Sequence, residues 1–394
     1  MADVWDVLVV GAGPAGSSLA ARLGCLGRSV LLLDSARFPR EKMCGEYLGP
    51  GCLPLLDQIG ALPEVLREAH AGRVLKACSP GGFVFRARYP EGLHGLSLRR
   101  RELDGILLGC ARRHKGVEVR EGFHAETLLV DNGQVCGVKG RRPGCEEETL
   151  RARLTIGADG RNSMVARRLG VFRWHPSHRR FAVGLHYEGV QASGEDIEVY
   201  SGRTLYGILN HQGGGAVNVN IVLHGAPWKG KPDAWFDSLL GQLPRLRERL
   251  GSARAVDAPR VLGPLAHYAT HVSAHGALLV GDSACFYDPF TGEGMHMALE
   301  SARLAAEVAD RALEACTLSR RFLSRYDAAR AASLAGRYRL QSLIQVMVGR
   351  PCLADYIAKA LQARERLADR LMEVIGGLRP PGDLLAAGLF LARR

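Results

Sequence analysis

A glycine-rich turn constrains this chain more than any other feature. Residues 11–16 have the spacing G-x-G-x-x-G and lie between an apolar run at 6–10 and a stretch of helix formers at 16–26. With 48 glycines in 394 residues, chance alone supplies about 0.7 such matches, so the context carries the inference. A second apolar run at 29–33 ends at Asp34. This order predicts a βαβ unit that binds a dinucleotide.

The chemistry of this turn suits a pyrophosphate. Glycines allow the backbone to approach the phosphates, and the helix that follows offers unpaired N–H groups and the positive end of its dipole. A carboxylate at the end of the second strand can accept hydrogen bonds from an adenosine ribose. We therefore predict that the cofactor is contacted by Gly11, Gly13, Ala15, Gly16 and Asp34. The fold alone does not separate FAD from NAD.

The rest of the chain predicts a second sheet and a helical tail. Short segments between Pro and Gly at 75–98 and alternating strands at 181–223 favour antiparallel pairing. Apolar runs at 154–156 and 277–280 and a helical pattern at 294–316 return the chain to the first domain. We predict an α/β fold: a Rossmann-type domain, a discontinuous antiparallel-sheet substrate domain and a C-terminal helical region. The expected bounds are 1–75, 98–175 and 255–316 for the first domain, 76–97 and 176–254 for the second, and 317–394 for the helical region.

Composition narrows the classes of function. Hydrophobic residues at 47% and charged residues at 23% are typical of a folded globular chain. The ten cysteines include no C-x-x-C pair, which favours reduced thiols over a disulfide framework or a zinc site. His267, His271 and His275 recur at four-residue spacing without carboxylates nearby, so we expect no metal there, nor at His175 or His178.

The net charge of +12 is concentrated in the tail. Residues 317–373 contain eleven Arg or Lys against five Asp or Glu. Their apolar positions recur at helical spacing: Leu353, Ile357, Ala360, Leu361, Leu367 and Leu371. We interpret the segment as a packed helix with a solvated basic face, and peripheral membrane contact stays open as an alternative. No nucleic-acid-binding motif accompanies the charge.

Localisation follows from the absence of apolar segments of membrane-spanning length. No run of 18 apolar residues occurs, and the chain enters the strand-like segment 3–10 without a basic, then apolar leader. We therefore expect a cytoplasmic protein, with membrane association through the tail as the open alternative.

Four further motifs follow one another along the chain. They are 38–46 (FPREKMCGE), 157–163 (GADGRNS), 281–284 (GDSA) and 288–294 (DPFTGEG). In this order they resemble the signatures of the geranylgeranyl reductase family, within the flavoproteins of the aromatic-hydroxylase fold. The resemblance covers about residues 3–315. It implies FAD as the cofactor, bound by the Rossmann-type domain, and NAD(P)H or another donor as the source of electrons.

The resemblance also implies roles for single residues. Asp282 would bind the ribityl or phosphate region of the flavin, and Asp159 would support the approach of flavin and nicotinamide. Pro289, Gly292 and Gly294 would lie beside the flavin ring. The helix that starts near Gly294 would direct its positive end at the N1 and C2 carbonyl edge, where reduction places negative charge.

By the same resemblance, two segments would bring basic and thiol side chains to the flavin. Arg100 matches the arginine that such flavoproteins place over the middle of the cofactor, and the neighbouring Arg99 and Arg101 stay open as alternatives. Arg40 and Cys44 lie in the motif that the family places near the flavin and the substrate mouth. We take Cys44 as a cofactor contact and a candidate catalytic residue, with a small buried hydrophobe as the alternative.

The chain departs from the family on the substrate side. Residues 206–211 keep only Tyr206 of the prenyl reductases' Tyr-x-Trp-x-Phe-Pro signature. This loss weakens the case for a geranylgeranyl substrate and leaves Tyr206 as the second candidate catalytic residue. The four tryptophans are isolated, so the Trp-x-Trp-x-Ile-Pro element of flavin halogenases is missing and halogenation is not expected.

Three hypotheses follow. The leading one is an FAD-dependent oxidoreductase that reduces a carbon–carbon double bond of a lipophilic isoprenoid or polyketide-like substrate. The second is a monooxygenase that hydroxylates an aromatic or polyketide ring through a flavin C4a-hydroperoxide. The third is a flavin-binding sensor or carrier without turnover.

Overall fold

The computed structural model describes residues 4–176, 179–191, 196–225 and 230–384. The strands are β1 (Trp5–Val10), β2 (Val30–Asp34), β3 (Tyr47–Leu48), β4 (His70–Gly72), β5 (Val74–Cys78), β6 (Val84–Arg88), β7 (Gly95–Ser97), β8 (Val117–Glu121), β9 (His124–Asp131), β10 (Gln134–Arg141), β11 (Glu148–Gly157), β12 (Phe172–Trp174), β13 (Arg180–Glu188), β14 (Ile197–Ser201), β15 (Leu205–His211), β16 (Val217–His224), β17 (Arg254–Ala255), β18 (Arg260–Leu262), β19 (His267–Ala269), β20 (Ser273–Ala274), β21 (Ala277–Leu279) and β22 (Cys285–Phe286). The helices are α1 (Pro14–Cys25), α2 (Leu53–Asp57), α3 (Leu62–Glu68), α4 (Arg100–Arg112), α5 (Met164–Arg168), α6 (Pro232–Gly241), α7 (Pro244–Leu250), α8 (Gly294–Glu314), α9 (Arg320–Val348), α10 (Pro351–Gln362) and α11 (Glu365–Ile375).

The first large sheet confirms the predicted Rossmann-type architecture. Its strand order is β20-β21-β11-β1-β2-β8, and the pairs from β21 to β8 are parallel. The apolar strand β2 is fully buried, and α1 packs against both α4 and α8. Uninterrupted apolar strands of this kind are typical of parallel sheets covered by helices. The carboxyl ends of β1, β2, β11 and β21 therefore meet at one edge.

The second large sheet has the order β17-β13-β16-β15-β14-β5-β6, with β18 also paired to β13. The expected antiparallel pairing occurs along this sheet except at one place, where β5 pairs with β14 in parallel. These two strands come from distant parts of the chain, so no hairpin turn constrains their relative direction. The strands also overrun the expected domain bounds: β5 begins before residue 76, and β18 lies beyond residue 254.

The helical region packs on both large sheets. Helix α9 packs against α8 and β20, and α10 and α11 pack against β6. The single helical pattern predicted over 353–371 is broken between α10 and α11, where the residues at 363 and 364 leave the helix. Its apolar positions Leu361, Leu367 and Leu371 pack with Leu75. The apolar stripe thus contributes to the core over the second sheet.

Among the residues described above, no helix is long and apolar enough to cross a bilayer.

A buried carboxylate on β14 binds polar side chains from its own and neighbouring strands of the second sheet and from α7. Glu198 of β14 is fully buried, and its Oε1 accepts hydrogen bonds from Arg249 Nε at 2.8 Å and His211 Nε2 at 3.1 Å. Its Oε2 accepts from Tyr200 at 2.5 Å and faces Lys76 Nζ at 3.5 Å. Burial raises the pKa of Glu198, but these partners outweigh it and lower the pKa to about 2.

This carboxylate yields a prediction about stability. We expect Glu198→Gln to lower the free energy of unfolding at pH 7 by on the order of 2–4 kcal/mol, because buried cations lose their partner. The folded pKa lies below the ordinary 4.5, so the stabilisation is present above about pH 4.5 and is lost as the pH falls toward 2. The gap between wild type and variant in urea unfolding should therefore be smaller at pH 3.5 than at pH 7.

The matched control is Glu188→Gln on β13. Glu188 and Arg254 form an exposed pair at 3.5 Å, so this variant should change the free energy of unfolding by less than about 0.5 kcal/mol. Equal losses in the two variants would contradict the assigned role of Glu198.

Candidate functional site

The glycine turn joins β1 to α1 in a conformation that only glycine permits. Gly11 has φ +102°, and a Cβ there would lie 2.4 Å from the Ala158 carbonyl oxygen. A Cβ at Gly16 would lie 1.8 Å from the Gly11 oxygen. The turn therefore packs directly on the backbone that follows β11.

The start of α1 has the features of an anion-binding site. Its N-cap residue Gly13 makes no side-chain cap hydrogen bond, and the bond from Ser17 N to Gly13 O closes the first turn at 2.9 Å. The N–H groups of Ala15 and Gly16 precede this bond and lack intrahelical acceptors. Such groups bind phosphates.

Asp34 closes the same turn from the end of β2. Its Oδ2 accepts from Ala12 N and its Oδ1 from Ala36 N, both at 2.8 Å. Each oxygen has a further lone pair for a ribose hydroxyl. The ribose contact stays a prediction.

Three cations converge beside this turn. Arg40 Nη2 lies 3.5 Å from the position of a Cβ on Gly13, and Lys42 Nζ lies 3.4 Å from a Cβ on Gly160. Arg100 is buried and donates to both oxygens of Asp104 at 3.0 Å, and Arg40 lies 3.3 Å from the same carboxylate. Burial, Arg100 and Arg40 together lower the pKa of Lys42.

Burial distinguishes the three arginines at 99–101, although the cofactor contact of Arg100 stays a prediction. Arg101 is exposed and pairs with Glu41 and Glu102, whereas Arg99 is the half-buried N-cap of α4. Arg100 is therefore the arginine of this run that faces the interior.

The two aspartates of the later motifs lie at neighbouring strand ends. Asp159 follows β11, and its Oδ2 accepts from Val165 N at 3.1 Å. Burial raises the pKa of Asp159. A Cβ on Gly281 would lie 2.9 Å from Ala15 Cβ, so the segment that contains Asp282 packs on the start of α1. The three glycine-bearing turns thus meet around one region.

The 288–294 motif forms a turn that leads into α8. Gly292 has φ +67° and donates to Pro289 O at 3.0 Å. Glu293, the N-cap of α8, makes no side-chain cap bond and instead pairs with Arg337 of α9 at 2.5 Å. Asp282 and Gly294 line one cavity together with side chains of α9.

Tyr206 supports this motif from the second sheet. It is fully buried on β15, and its hydroxyl donates to Asp288 Oδ1 at 2.7 Å. Its ring packs edge-on against Phe290 with centroids 4.9 Å apart. Burial, Asp288 and their hydrogen bond raise the pKa of Tyr206 well above its ordinary value. Its catalytic role stays a prediction.

A second cavity lies where the 38–46 motif meets β13 and β16. Its lining includes Met43, Cys44, Glu46, His186, Asn218 and Asp257. Cys44 Sγ accepts a hydrogen bond from Glu46 N at 3.3 Å. Burial raises the pKa of Cys44 despite the opposing charge of Arg100, so its thiol stays protonated at neutral pH.

The predicted non-ligand histidines have other contacts. His267 Nε2 lies 2.6 Å from the Asp282 carbonyl and supports that turn, while His175 packs its ring against Tyr268 and Tyr287. His275 Nδ1 accepts from Arg320 N at 3.3 Å. In the described part of the chain no three His, Cys, Asp or Glu side chains cluster as metal ligands would. His178 lies outside the described residues.

The residues present fit an anionic dinucleotide. Arg40, Lys42 and Arg100 lie together beside the turn, and the unpaired N–H groups at the start of α1 add positive potential. Within the ranges described, the buried Nε of Arg40 has no hydrogen-bond acceptor, which a phosphate would provide.

Several residues of this region were missed from the sequence. The i,i+4 spacing of Arg100 and Asp104 on a helix is a signal that could have identified Asp104. Lys42 and Glu46 lie within the recognised motif without an assigned role. His186 and Asp257 carry no local signal.

Gly13 provides a test of the phosphate site. A Cβ at Gly13 meets only Arg40 Nη2, at 3.5 Å, and its φ of −74° suits alanine. We expect Gly13→Ala to fold normally and to weaken flavin binding by about tenfold or more, a loss of about 1.4 kcal/mol, because the methyl occupies the phosphate approach. Flavin titration followed by fluorescence, with thermal unfolding of the apoprotein, measures both effects.

The control is Gly109→Ala, which lies in open space on α4 and should bind flavin normally. Unaltered flavin affinity in Gly13→Ala would contradict the phosphate site.

Comparison with known proteins agrees with this geometry. Residues 4–334 match the model of an FAD binding domain family. The solved structure of the flavin-dependent brominase Bmp2 superposes with a TM-score of 0.84 at 18% identity and covers 99% of this chain and 100% of its own. At this identity the likeness concerns the fold alone.

Two relatives are similar in sequence along most of the chain. The menaquinone reductase of Mycobacterium tuberculosis is 31% identical over 332 residues, which are 78% of this chain and 77% of the relative. Digeranylgeranylglycerophospholipid reductase 2 of Methanothermobacter thermautotrophicus is 31% identical over 332 residues and 82% of each chain. With the ordered motifs and the dinucleotide site, these matches show that the chain is an FAD-dependent oxidoreductase of the geranylgeranyl reductase family.

Proposed function

We propose that this protein reduces a carbon–carbon double bond of a lipophilic isoprenoid or polyketide-like substrate, with electrons from NAD(P)H or another donor. The observation that carries the proposal is the cavity beside Cys44, in which a protonated thiol lies where the 38–46 motif meets the second sheet. The names of the reductase relatives support the same type of reaction.

The reaction needs a hydride and a proton. FAD, when bound, accepts two electrons from the donor and supplies the hydride to one carbon of the double bond. The chain must supply a proton to the other carbon, because the product gains two hydrogens in total. Cys44 is suited to this step since burial keeps its thiol protonated.

An apolar cluster next to the cavity supports a lipophilic substrate. Tyr206 packs there with Val222 and Leu265, and Met43 and Phe290 border the cluster. Met43 also lines the cavity, and together with Leu185 it supplies apolar contacts in a lining that is otherwise largely polar. In this proposal Tyr206 positions the 288–294 turn through Asp288.

An anaerobic single-turnover experiment tests the proposal. Enzyme reduced with NADPH or dithionite is mixed with polyprenyl, prenylquinone or polyene candidates, and flavin absorbance and product mass are recorded. We expect reoxidation of the flavin and a product that gains two hydrogens. In a parallel run with oxygen, a product that forms only there and gains one oxygen atom would support hydroxylation and contradict reduction. Flavin reduction by dithionite but not by NADH or NADPH would indicate another physiological donor.

Cys44 provides a prediction for catalysis. We expect Cys44→Ala to retain FAD and to slow substrate-dependent flavin reoxidation by about 10²-fold or more, because the positioned proton donor is lost. Stopped-flow absorbance measures this rate. Cys136→Ser is the control, since the half-buried Cys136 of β10 donates to Leu129 O, away from the cavity, and serine keeps that bond. A normal rate in Cys44→Ala would remove the thiol from the mechanism.

A further inference from the structure

One histidine in the cavity lies between two carboxylates. His186 Nδ1 is 2.7 Å from Asp257 Oδ2, and His186 Nε2 is 2.9 Å from Glu46 Oε2. Ionised carboxylates only accept hydrogen bonds, so both ring nitrogens can donate at once only when the ring is an imidazolium. The geometry therefore favours a stored proton.

The three side chains connect the surface to the cavity. The Asp257 side chain is 29% exposed, His186 is 11% exposed, and Glu46 is 2% exposed. Asp257 lies between β17 and β18, His186 lies on β13, and Glu46 belongs to the 38–46 motif of the FAD-binding side. All three also line the cavity beside Cys44.

The surrounding contacts orient the inner carboxylate. Glu46 has φ +58°, a conformation that is costly for a residue with a side chain. Its Oε1 accepts from Arg100 N at 3.0 Å, and its Oε2 accepts from Asn218 Nδ2 at 2.6 Å and from Gln212. The strained backbone is thus maintained by a buried polar network that also contacts the 44–46 backbone.

The outer carboxylate is oriented by the strand itself. Asp257 Oδ1 accepts from the His186 backbone N–H at 2.7 Å, while Oδ2 contacts the ring of the same residue. This double contact holds the imidazole in one orientation, as carboxylate partners of catalytic histidines do.

We propose that Asp257, His186 and Glu46 form a proton path from solvent to the cavity beside Cys44. The path rests on the proposed function, which consumes one proton per double bond. In each cycle the proton on His186 passes through Glu46 to the donor in the cavity, and the donor protonates the carbon that does not receive the hydride. A proton from solvent then returns to His186 through Asp257, so each cycle leaves the three groups unchanged.

The charges around the imidazole agree with storage of a proton. Burial lowers the pKa of His186, but Glu46 and Asp257 outweigh it and raise the pKa above the ordinary 6.5. Glu46, although burial opposes it, has its pKa lowered by His186. The other charged groups that line the cavity with His186 are Glu41, Lys42 and Arg260, and the thiol of Cys44 and the amides of Asn218 and Asn220 complete the polar lining.

The direction of the pH dependence follows. A raised folded pKa keeps His186 protonated above pH 6.5, and the proton is lost as the pH rises through that folded value. The rate of substrate-dependent flavin reoxidation should therefore fall on the alkaline side. Removing either carboxylate charge should move this alkaline limb to lower pH.

Asp257→Asn in the holoenzyme is the main test, since Asp257 is partly exposed and its loss is less harmful to folding than that of Glu46. We expect dithionite to reduce the flavin at the normal rate and KM to stay unchanged, while reoxidation by substrate slows by about tenfold or more. His186→Ala should slow the same step, and added imidazole should restore part of the rate. Glu188→Gln, an exposed residue on the same strand, is the control.

Nuclear magnetic resonance of 15N-histidine-labelled full-length holoenzyme provides a readout that needs no turnover. We expect both nitrogens of His186 to be protonated at pH 6.5, and its pKa to be lower in Asp257→Asn. If His186 is neutral in wild-type enzyme that reduces its substrate, the proton path is wrong while the proposed function stands. An imidazolium with normal reoxidation rates in Asp257→Asn would assign the three residues a purely structural role and overturn it as well. Wild-type enzyme that reduces no double bond would overturn the proposed function and the path with it.

Discussion

The electrostatic demand of the pyrophosphate predicted at the start of α1 is the constraint on which the rest of this site depends. Two negative charges would have to be held on a buried backbone turn, where bare N–H groups with Arg40, Lys42 and Arg100 would provide the opposing potential. Three clustered cations would repel one another without compensation. Asp104, shared by Arg40 and Arg100, offsets part of this repulsion and places α4 beside the turn.

The 38–46 motif links this charged region to the second sheet. Its first half contributes Arg40 and Lys42 to the phosphate side, and its second half contributes Cys44 and Glu46 to the cavity. Asn218 of β16 donates to the Cys44 carbonyl at 3.0 Å as well as to Glu46, so the motif is joined to the second sheet by hydrogen bonds at the cavity itself. Binding of the cofactor and the electrostatics of the cavity are therefore coupled through one short segment.

The helical region lies against the 288–294 motif and the start of α8. The buried pair of Arg337 and Glu293 connects α9 to the start of α8, and Arg337 also donates to the Val374 carbonyl at 3.0 Å at the end of α11. A buried ion pair of this kind is costly unless fully hydrogen-bonded, so it favours one arrangement of the three helices over alternatives. The tail is thus part of the architecture around the flavin motif, although it lies outside the segment in which the family motifs occur.

Local sequence patterns were sufficient to predict the glycine turn, the position of Asp34 at a strand end and the buried strands β1 and β2. Glycine spacing and apolar runs act over only a few residues. They were insufficient for the parallel pairing of β5 with β14, the break between α10 and α11, and the meeting of Glu46, His186 and Asp257. Glu46 lies 140 positions from His186 in the sequence, and His186 lies 71 positions from Asp257. No periodicity encodes contacts across such separations. Strand register and packing between the two sheets decided which of the many polar side chains face one another.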